Sequence, residues 1–348
     1  MIYQSAATLG DLTQKIFEAA GSPPDIAKRV TTALIDANLC GHDSHGVIRI
    51  PSYVDAVREG HVIPDAHPST LRQTAVTALV DGHWSFGQVS AAYATEVAVE
   101  KAKAGGVSMV GIVRCNHIGR LGEYATMASD AGIALIIVAG GFGGRGVSAV
   151  PFGGSKPLFG TNPIAVGIPA GVQPDVLVDF ATTAVAAGKI EVARAKKAPL
   201  PPGSIVDRDG RPTTDPEDYY RGGALLPFGG HKGYALSVMV EFLGRVMTGA
   251  DSYAEGNRGG AVYGHSGTLI VAMDPSTFVS AEQYAAAADE TLVRLKSVPA
   301  APESSGVLIP GEPESHSRAE RSLKGIPLAE DTWERILATA RGLGVLDS

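Results

Sequence analysis

The sequence predicts an α/β (α+β) fold that opens on helices and continues as alternating strands and helices. Three observations carry this. Apolar residues recur at helical spacing up to Glu59. Short apolar runs such as Val107–Val113 and Ile133–Ala139 have the length and turn-rich borders of strands. Glycine makes up 43 of 348 residues, which implies many tight loops and close backbone approaches.

The elements follow in order. Asp11–Ala20 is periodic and stops at Gly21. Pro23-Pro24 opens a second helix that runs through Cys40 and ends at Gly41. A third is expected from Gly46 or Val47 to Glu59, starting after Pro51 or kinked there. Ala75–Val80 reads as a strand before an Asp81-Gly82 turn. Ser85 is placed to cap a helix over Gln88–Ala104. Val107–Val113 is a strand, Leu121–Ala131 a helix closed by Gly132, and Ile133–Ala139 a strand. Residues 140–171 hold too much Gly and Pro for a long helix. Val176–Asp179 reads as a strand, Thr182–Lys197 as a helix and Pro199–Asp218 as a loop. His231–Met247 is an apolar helix, Gly267–Met273 a strand and Ser280–Lys296 a helix. A Pro/Ser-rich bridge, Ser297–Ser305, leads to a short strand at Val307–Ile309, and a helix over Asp331–Arg341 ends the chain. There is no internal repeat.

Apolar residues are 45% and charged residues 19% of the chain, enough to bury a large core without staples. Net charge is -7 with no Lys/Arg stripe, so a nucleic-acid partner is not expected. An anionic ligand would have to be caught by particular Arg, Lys or His side chains. Cys40 and Cys115 stand outside any C-x-x-C spacing, and the first residues lack a basic start followed by an apolar run. A cytoplasmic protein with no membrane span is expected.

Gly141-Phe142-Gly143-Gly144-Arg145-Gly146 spells G-x-G-x-x-G directly after a strand. The dinucleotide fingerprint needs those glycines to open a helix. Pro151, Gly153, Gly154, Pro157 and Pro163 follow instead, so the segment reads as a glycine loop and the fold as non-Rossmann.

Five clusters bear chemistry. Gly41-His42-Asp43-Ser44-His45-Gly46-Val47-Ile48-Arg49 holds a histidine suited to proton exchange and an arginine whose fork matches a carboxylate. If the run is helical, His45 and Arg49 share a face, with the Ser44 hydroxyl beside them. Equally, Asp43 or Ser44 simply caps a polar helix start, and His42, Asp43 and His45 spell an incomplete metal set. Asn116-His117-Ile118-Gly119-Arg120 lies between a strand and a helix, where His117 is a second acid/base candidate or a loop cap. Thr161 and Asn162 line a groove or form a turn. Asp179 ends a strand and either orients a histidine or stands before Thr182 and Thr183, which cap the next helix. His231 and Lys232, before Gly233, put cations at a helix N-terminus against the macrodipole, which suggests an anionic ligand or plain solvent exposure.

Taken in order, GHDSHGVIRIPSYV (41–54), NHIGRLGEYA (116–125), PFGGSKPLFGTNPIAVGIP (151–169), LVDFATTAVAAGKIEVARAKKAPLPPGSIVDRDGRPTTDP (177–216), PFGGHKGYALSVMVEFLGRVMTG (227–249) and IPGEPE (309–314) resemble the type-2 malate/L-lactate dehydrogenases, and among them the hydroxycarboxylate dehydrogenases. The resemblance implies a mostly antiparallel sheet flanked by helices. It implies a separate helical domain, 1–70 completed by 310–348, and a cofactor-binding sheet domain, 71–309, with a small subdomain near 105–150. It implies homodimers that use NAD or NADP on a small 2-hydroxy or 2-keto acid. His45 and His117 would then face the reacting carbon, with Ser44 beside them. Arg49 would bind the carboxylate, with Tyr53, Thr161 and Asn162 as further substrate contacts. Asp179 would support a histidine. Asp179, Phe180, Ala181, Thr182, Thr183, His231, Lys232, Gly233, Gly311 and Glu312 would meet the cofactor, and Pro313 stands where relatives often carry Arg. Relatives also include ureidoglycolate dehydrogenase and cyclic imino-acid reductases. Outside the family, a metal-dependent lyase or hydrolase built on His42, Asp43, His45 and His117, or a non-catalytic binding module, are the alternatives.

Overall fold

The structure, a computed structural model, describes residues 1–141 and 148–347. Strand β1 (Ile2–Gln4) leads into helices α1 (Ala6–Ala19), α2 (Pro24–Leu39) and α3 (Ile50–Arg58). Ser5 caps α1 by accepting from the Thr8 amide, worth about 1 kcal/mol. A hairpin of β2 (Ser69–Gln73) and β3 (Thr77–Asp81) precedes the long helix α4 (Gly87–Gly105), followed by β4 (Val107–Val113), α5 (Gly122–Ser129) and β5 (Ala134–Gly140). Then come β6 (Pro163–Ile168), β7 (Val176–Ala181), α6 (Ala187–Ala195), β8 (Ile205–Val206), β9 (Pro212–Thr213), α7 (Pro216–Tyr220) and β10 (Ala224–Leu225). The chain closes with α8 (His231–Glu241), α9 (Gly260–Tyr263), β11 (Gly267–Met273), α10 (Ala281–Lys296), α11 (Glu312–Lys324), β12 (Ile326–Leu328) and α12 (Glu330–Gly342).

The main sheet has seven strands in the order β2-β3-β4-β11-β5-β6-β7. It is antiparallel except at β3–β4, whose connection is α4. Ile270 of β11 lies opposite Val110 of β4 and Ile137 of β5, and all three are buried. Helices α4 and α5 cover that face. Ala91, Ala94, Ala98 and Ala102 recur at helical spacing on α4, and their small side chains let the helix lie close to the strands. The other face meets α8 and a π-helical turn, Phe242–Val246. Glycines make that contact possible. A Cβ on Gly244 would stand 2.6 Å from the Gly140 nitrogen, and one on Gly267 2.3 Å from the Gly244 oxygen.

A second core gathers Leu9, Ile16, Phe17, Val30, Leu34, Ile50, Tyr53, Phe86, Ile326 and Ile336. Strand β1 pairs with β12, Ile2 opposite Leu328, so the two ends of the chain fold together. Phe86, at the start of α4, belongs to this core, while the alanines further along α4 belong to the sheet core. Helix α4 therefore bridges both, and its first turn lies at their seam. No helix among the described residues is long and apolar enough to cross a membrane.

Several elements differ from the expectation. The third helix begins at Ile50, after two 3-10 turns. Ser85 does not cap α4; its hydroxyl is buried with no hydrogen-bond partner among the described residues, and Phe86 occupies the N-cap. Thr182 and Thr183 cap no helix, since α6 starts only at Ala187. The Pro199–Asp218 loop contains β8 and β9 of a small three-stranded sheet. Val307–Ile309 is not a strand, and α11 follows unannounced. Its sequence EPESHSRAERSLK has almost no apolar stripe; ion pairs of Arg318 with Asp36 and Arg321 with Asp43 hold it to α2 and the turn beyond. Of the G-x-G-x-x-G run, 142–146 lies outside the described residues.

Candidate active site

The run at 41–49 is not the helix its spacing suggested. Asp43–His45 and Val47–Arg49 are separate 3-10 turns, and Gly46 between them is extended, with φ -89 and ψ -153. His45 and Arg49 do not share a helical face; the fold of the turn brings them together instead. The Arg49 Nε donates to the Ser44 carbonyl at 2.6 Å, and the Ser44 hydroxyl is 3.0 Å from His45 Nδ1. Asn38 anchors both turns. Its Oδ1 accepts from the Val47 amide at 2.8 Å and its Nδ2 donates to Asp43 at 2.7 Å. Only glycine fits at 46, where a Cβ would fall 2.1 Å from Asn38 Oδ1.

His117 arrives from the sheet side of the seam, on the loop between β4 and α5. Asn116 fixes that loop by donating to the carbonyls of Trp84 and Ser85 at 2.9 and 3.0 Å. Gly87 lets α4 dock under it, since a Cβ there would meet the His117 oxygen at 2.4 Å. The His45 and His117 rings stack with centroids 5.5 Å apart and an interplanar angle of 19°. Tyr53 Oη lies 2.6 Å from His117 Nδ1 and accepts from Gln88 Nε2 at 2.8 Å. The Tyr263 ring stands 5.6 Å from His117. Its segment is clipped to the end of α3 by Arg258 donating to the Gly60 carbonyl at 2.6 Å and by the Gly259 amide donating to His61 at 3.0 Å.

This pocket resists added positive charge. Burial and then the Arg49 guanidinium push the His45 imidazole down to about 3. The same two causes, followed by His45 itself, hold His117 well below its ordinary value. Burial raises the phenols of Tyr53 and Tyr263. Among the described residues Arg49 donates to the protein through its Nε alone, and no hydrogen bond engages its terminal nitrogens. The site thus offers neutral imidazoles, one donor-rich cation and two un-ionised phenols, a set suited to an anion with an exchangeable proton.

Asp179 stands apart from these histidines. Its Oδ2 accepts from the Gly122 amide at 2.7 Å, and burial raises its carboxyl, with His42 and Arg120 among the charges that oppose this. The histidine it senses is His42, itself 3.2 Å from Glu314. Asp43 is taken up by Asn38 and Arg321, so His42 and Asp43 do not join His45 and His117 as a ligand set. Among the described residues, no group of three or more His, Cys, Asp or Glu is arranged to hold a metal.

The remaining predicted residues lie around β6 and β7 and at the starts of α8 and α11. Thr182 donates its amide and hydroxyl to the Thr161 carbonyl, both at 3.0 Å. Asn162, at φ 41, donates to Ser237 and Glu241 of α8. Phe180 packs edge-on against Phe228, and the Phe228 carbonyl accepts from the Gly233 amide at 3.0 Å. Ala181 pairs with Pro163, and Thr183 bridges to Pro227. His231 and Lys232 stand exposed at the start of α8 after Gly229 and Gly230, both at positive φ. A Cβ on Gly188 would lie 3.5 Å from Ser44 Cβ, so the segment after β7 passes beside the histidine turn. Gly311 and Glu312 line a cavity of ≈ 230 Å³ with Asp175, Leu177 and His316, and Glu312 pairs with Lys296 at 2.8 Å. Glycines at positive φ, a helix start with no side-chain cap among the described residues and the exposed Lys232 ammonium fit a dinucleotide phosphate.

Sequence reasoning singled out neither Gln88 nor Tyr263. Neither belongs to a motif whose chemistry can be read locally.

The chain resembles known proteins over nearly its whole length. The malate/L-lactate dehydrogenase family matches residues 4–337. The chain is 39% identical to L-sulfolactate dehydrogenase of Methanothermobacter thermautotrophicus, covering 96% of this chain and 95% of that one. It is 37% identical to hydroxycarboxylate dehydrogenase B of Escherichia coli, covering 98% and 94%. The solved sulfolactate dehydrogenase of Methanocaldococcus jannaschii superposes with a TM-score of 0.89 at 31% identity, over 99% of this chain and 98% of that one. The chain belongs to the malate/L-lactate dehydrogenase family.

Proposed function

We propose that this enzyme moves a hydride between NAD(P) and C2 of a small 2-hydroxy or 2-keto carboxylic acid. The observation that carries the reading is the stacked pair His45–His117 beside an arginine whose terminal nitrogens have no hydrogen bond among the described residues. Arg49 takes the substrate carboxylate bidentately. His45, neutral before substrate arrives, accepts the C2 hydroxyl proton in oxidation and returns it in reduction. When bound, NAD(P) supplies the hydride acceptor or donor. Residues 179–183, His231, Lys232, Gly233, Gly311 and Glu312 are the groups that would hold it, without a Rossmann turn. The names of the sulfolactate and hydroxycarboxylate dehydrogenases it resembles support an acid substrate.

The helical unit, 1–70 with 310–348, and the sheet unit, 71–309 with its part near 105–150, act as the two walls of this site. Exposed Val107, Met109, Val246 and Met247 support a homodimer, and two free buried cysteines support a cytoplasmic home.

The test is a spectrophotometric screen. Pyruvate, oxaloacetate, phenylpyruvate, hydroxyphenylpyruvate and cyclic imino acids are offered with NADH and with NADPH, and ureidoglycolate with the oxidised cofactors. Loss of reduced-nicotinamide absorbance with a 2-keto acid supports the reading, and silence across every pairing overturns it.

A further inference from the structure

The buried chain Gln88–Tyr53–His117 has a direction. Gln88 is fully buried and Tyr53 is 8% exposed, so their hydrogen bonds are made chiefly within the protein. The Tyr53 hydroxyl carries one hydrogen. Its oxygen accepts from Gln88 Nε2, an amide nitrogen that can only donate. If His117 also donated to it, the phenol hydrogen would need a third partner, and none is present among the described residues. Tyr53 therefore donates to His117 Nδ1. With Nδ1 accepting, neutral His117 holds its single hydrogen on Nε2. Turning the Gln88 amide over would reverse the chain, but both NH2 hydrogens would then lack a partner among the described residues, where now one of them and the carbonyl oxygen Oε1 do. Orphaned buried N–H groups are the rarer defect, because a carbonyl oxygen has two lone pairs and is more often left under-satisfied.

We propose that Gln88 is a positioning residue that, through Tyr53, locks His117 as its Nε2–H tautomer and so makes it the fixed hydrogen-bond donor of the site. His45 is free of such a lock. Its Nδ1 neighbour is the Ser44 hydroxyl, which donates or accepts with equal ease. The two stacked rings thus divide the work. His117 presents a donor to the C2 oxygen, and His45 exchanges the proton. The division of work rests on the dehydrogenase reading above; the tautomer does not.

The experiment reads the tautomer directly in the cofactor-free protein, by nitrogen-15 NMR of labelled histidine, with the His117 signals assigned from a His117→Gln variant. The expected result is a protonated Nε2 and an unprotonated Nδ1. A protonated Nδ1 overturns the proposal, whether or not any substrate turns over. Gln88→Met, of similar size but without a donor, should give a mixture of tautomers and lower kcat roughly tenfold or more, with KM little changed because Arg49 is untouched. Gln88→Glu, read where the new carboxylate is ionised, should reverse the chain and move the hydrogen to Nδ1. If both variants keep the wild-type tautomer, Gln88 does not set it. Should neither fold, the wild-type spectrum alone decides the direction of the chain. A screen that finds no turnover would sink the enzyme reading and leave the spectrum to be judged by itself.

Discussion

The imidazoles of His45 and His117 lie nearly parallel, 5.5 Å between centroids, although they come from opposite sides of the seam between two hydrophobic cores. His45 penalises a proton on His117, and Arg49 penalises a proton on both. An anion on Arg49 removes one of those penalties. Substrate binding therefore raises the proton affinity of the pair at the moment a proton must be handled.

This has a pH signature. His45 in the free enzyme titrates at about 3, far below its ordinary value, so kcat/KM for oxidation should show no His45 limb between pH 5 and 8. Arg49→Gln removes the second-largest cause of that depression and should move an acid limb upward in pH, visible in a kcat/KM profile. The same shift bears on stability. The folded-state value lies below the unfolded one, so the contribution is fully present above about pH 6.5 and is lost as pH falls towards 3. Thermal melts between pH 7 and 4 should thus decline less steeply for His45→Gln than for the parent. Equal slopes would show that the imidazole is not held neutral.

Arg49 and His45 should fail differently. His45→Ala removes the proton carrier and should lower kcat by about two to four orders of magnitude. Arg49→Lys keeps a charge but loses the planar fork, and should raise KM by roughly 10- to 100-fold with a smaller change in kcat. Steady-state kinetics with a single keto acid separate the two. A fall in kcat with unchanged KM for Arg49→Lys would mean that the guanidinium does not bind the ground-state carboxylate.

Gly46 tests the scaffold without touching a reacting group. An alanine Cβ would collide with Asn38 Oδ1, and Asn38 is buried, so it cannot swing away freely. Gly46→Ala should lower stability by about 1–3 kcal/mol, read by denaturant unfolding, and should cut kcat/KM by pulling His45 away from Arg49. Asn38→Leu should do the same by stranding the Val47 amide. A Gly46→Ala protein with parental stability and rate would show that the two turns are not held by this contact.

How much of this was legible beforehand follows from where each signal resides. Val107–Val113 and Gly267–Met273 stand as read, because a continuous apolar run bounded by turns has few other uses. His45, His117 and Arg49 were legible as reactive types, but the reason offered for their proximity failed. A four-residue spacing suggests a helical face only if the helix exists, and Gly46 breaks it with an extended backbone that Asn38, eight positions earlier, makes necessary. Gln88 was invisible because a glutamine in an alanine-rich helix looks solvent-exposed until the chain is folded over it. Helix α11 was hidden for the opposite reason. Its stability lies in ion pairs to distant residues rather than in an apolar stripe.

Lys232 offers a test that reads in two directions. It sits with His231 in the first turn of α8, where the N-cap is Gly230 and no side chain among the described residues caps the helix. A cation there opposes the helix dipole by about 0.3–1 kcal/mol at an exposed site, so Lys232→Met should leave the apoprotein slightly more stable. If the lysine faces a cofactor phosphate, the same change should weaken dinucleotide binding by about tenfold, because one charge-assisted hydrogen bond is lost. It should also flatten the dependence of that affinity on salt. Melting curves with and without NADH and NADPH, over a series of salt concentrations, measure both effects. A variant that melts higher yet binds both nucleotides as tightly as the parent would place the phosphates elsewhere, and the two glycines before α8 would then serve only to turn the chain.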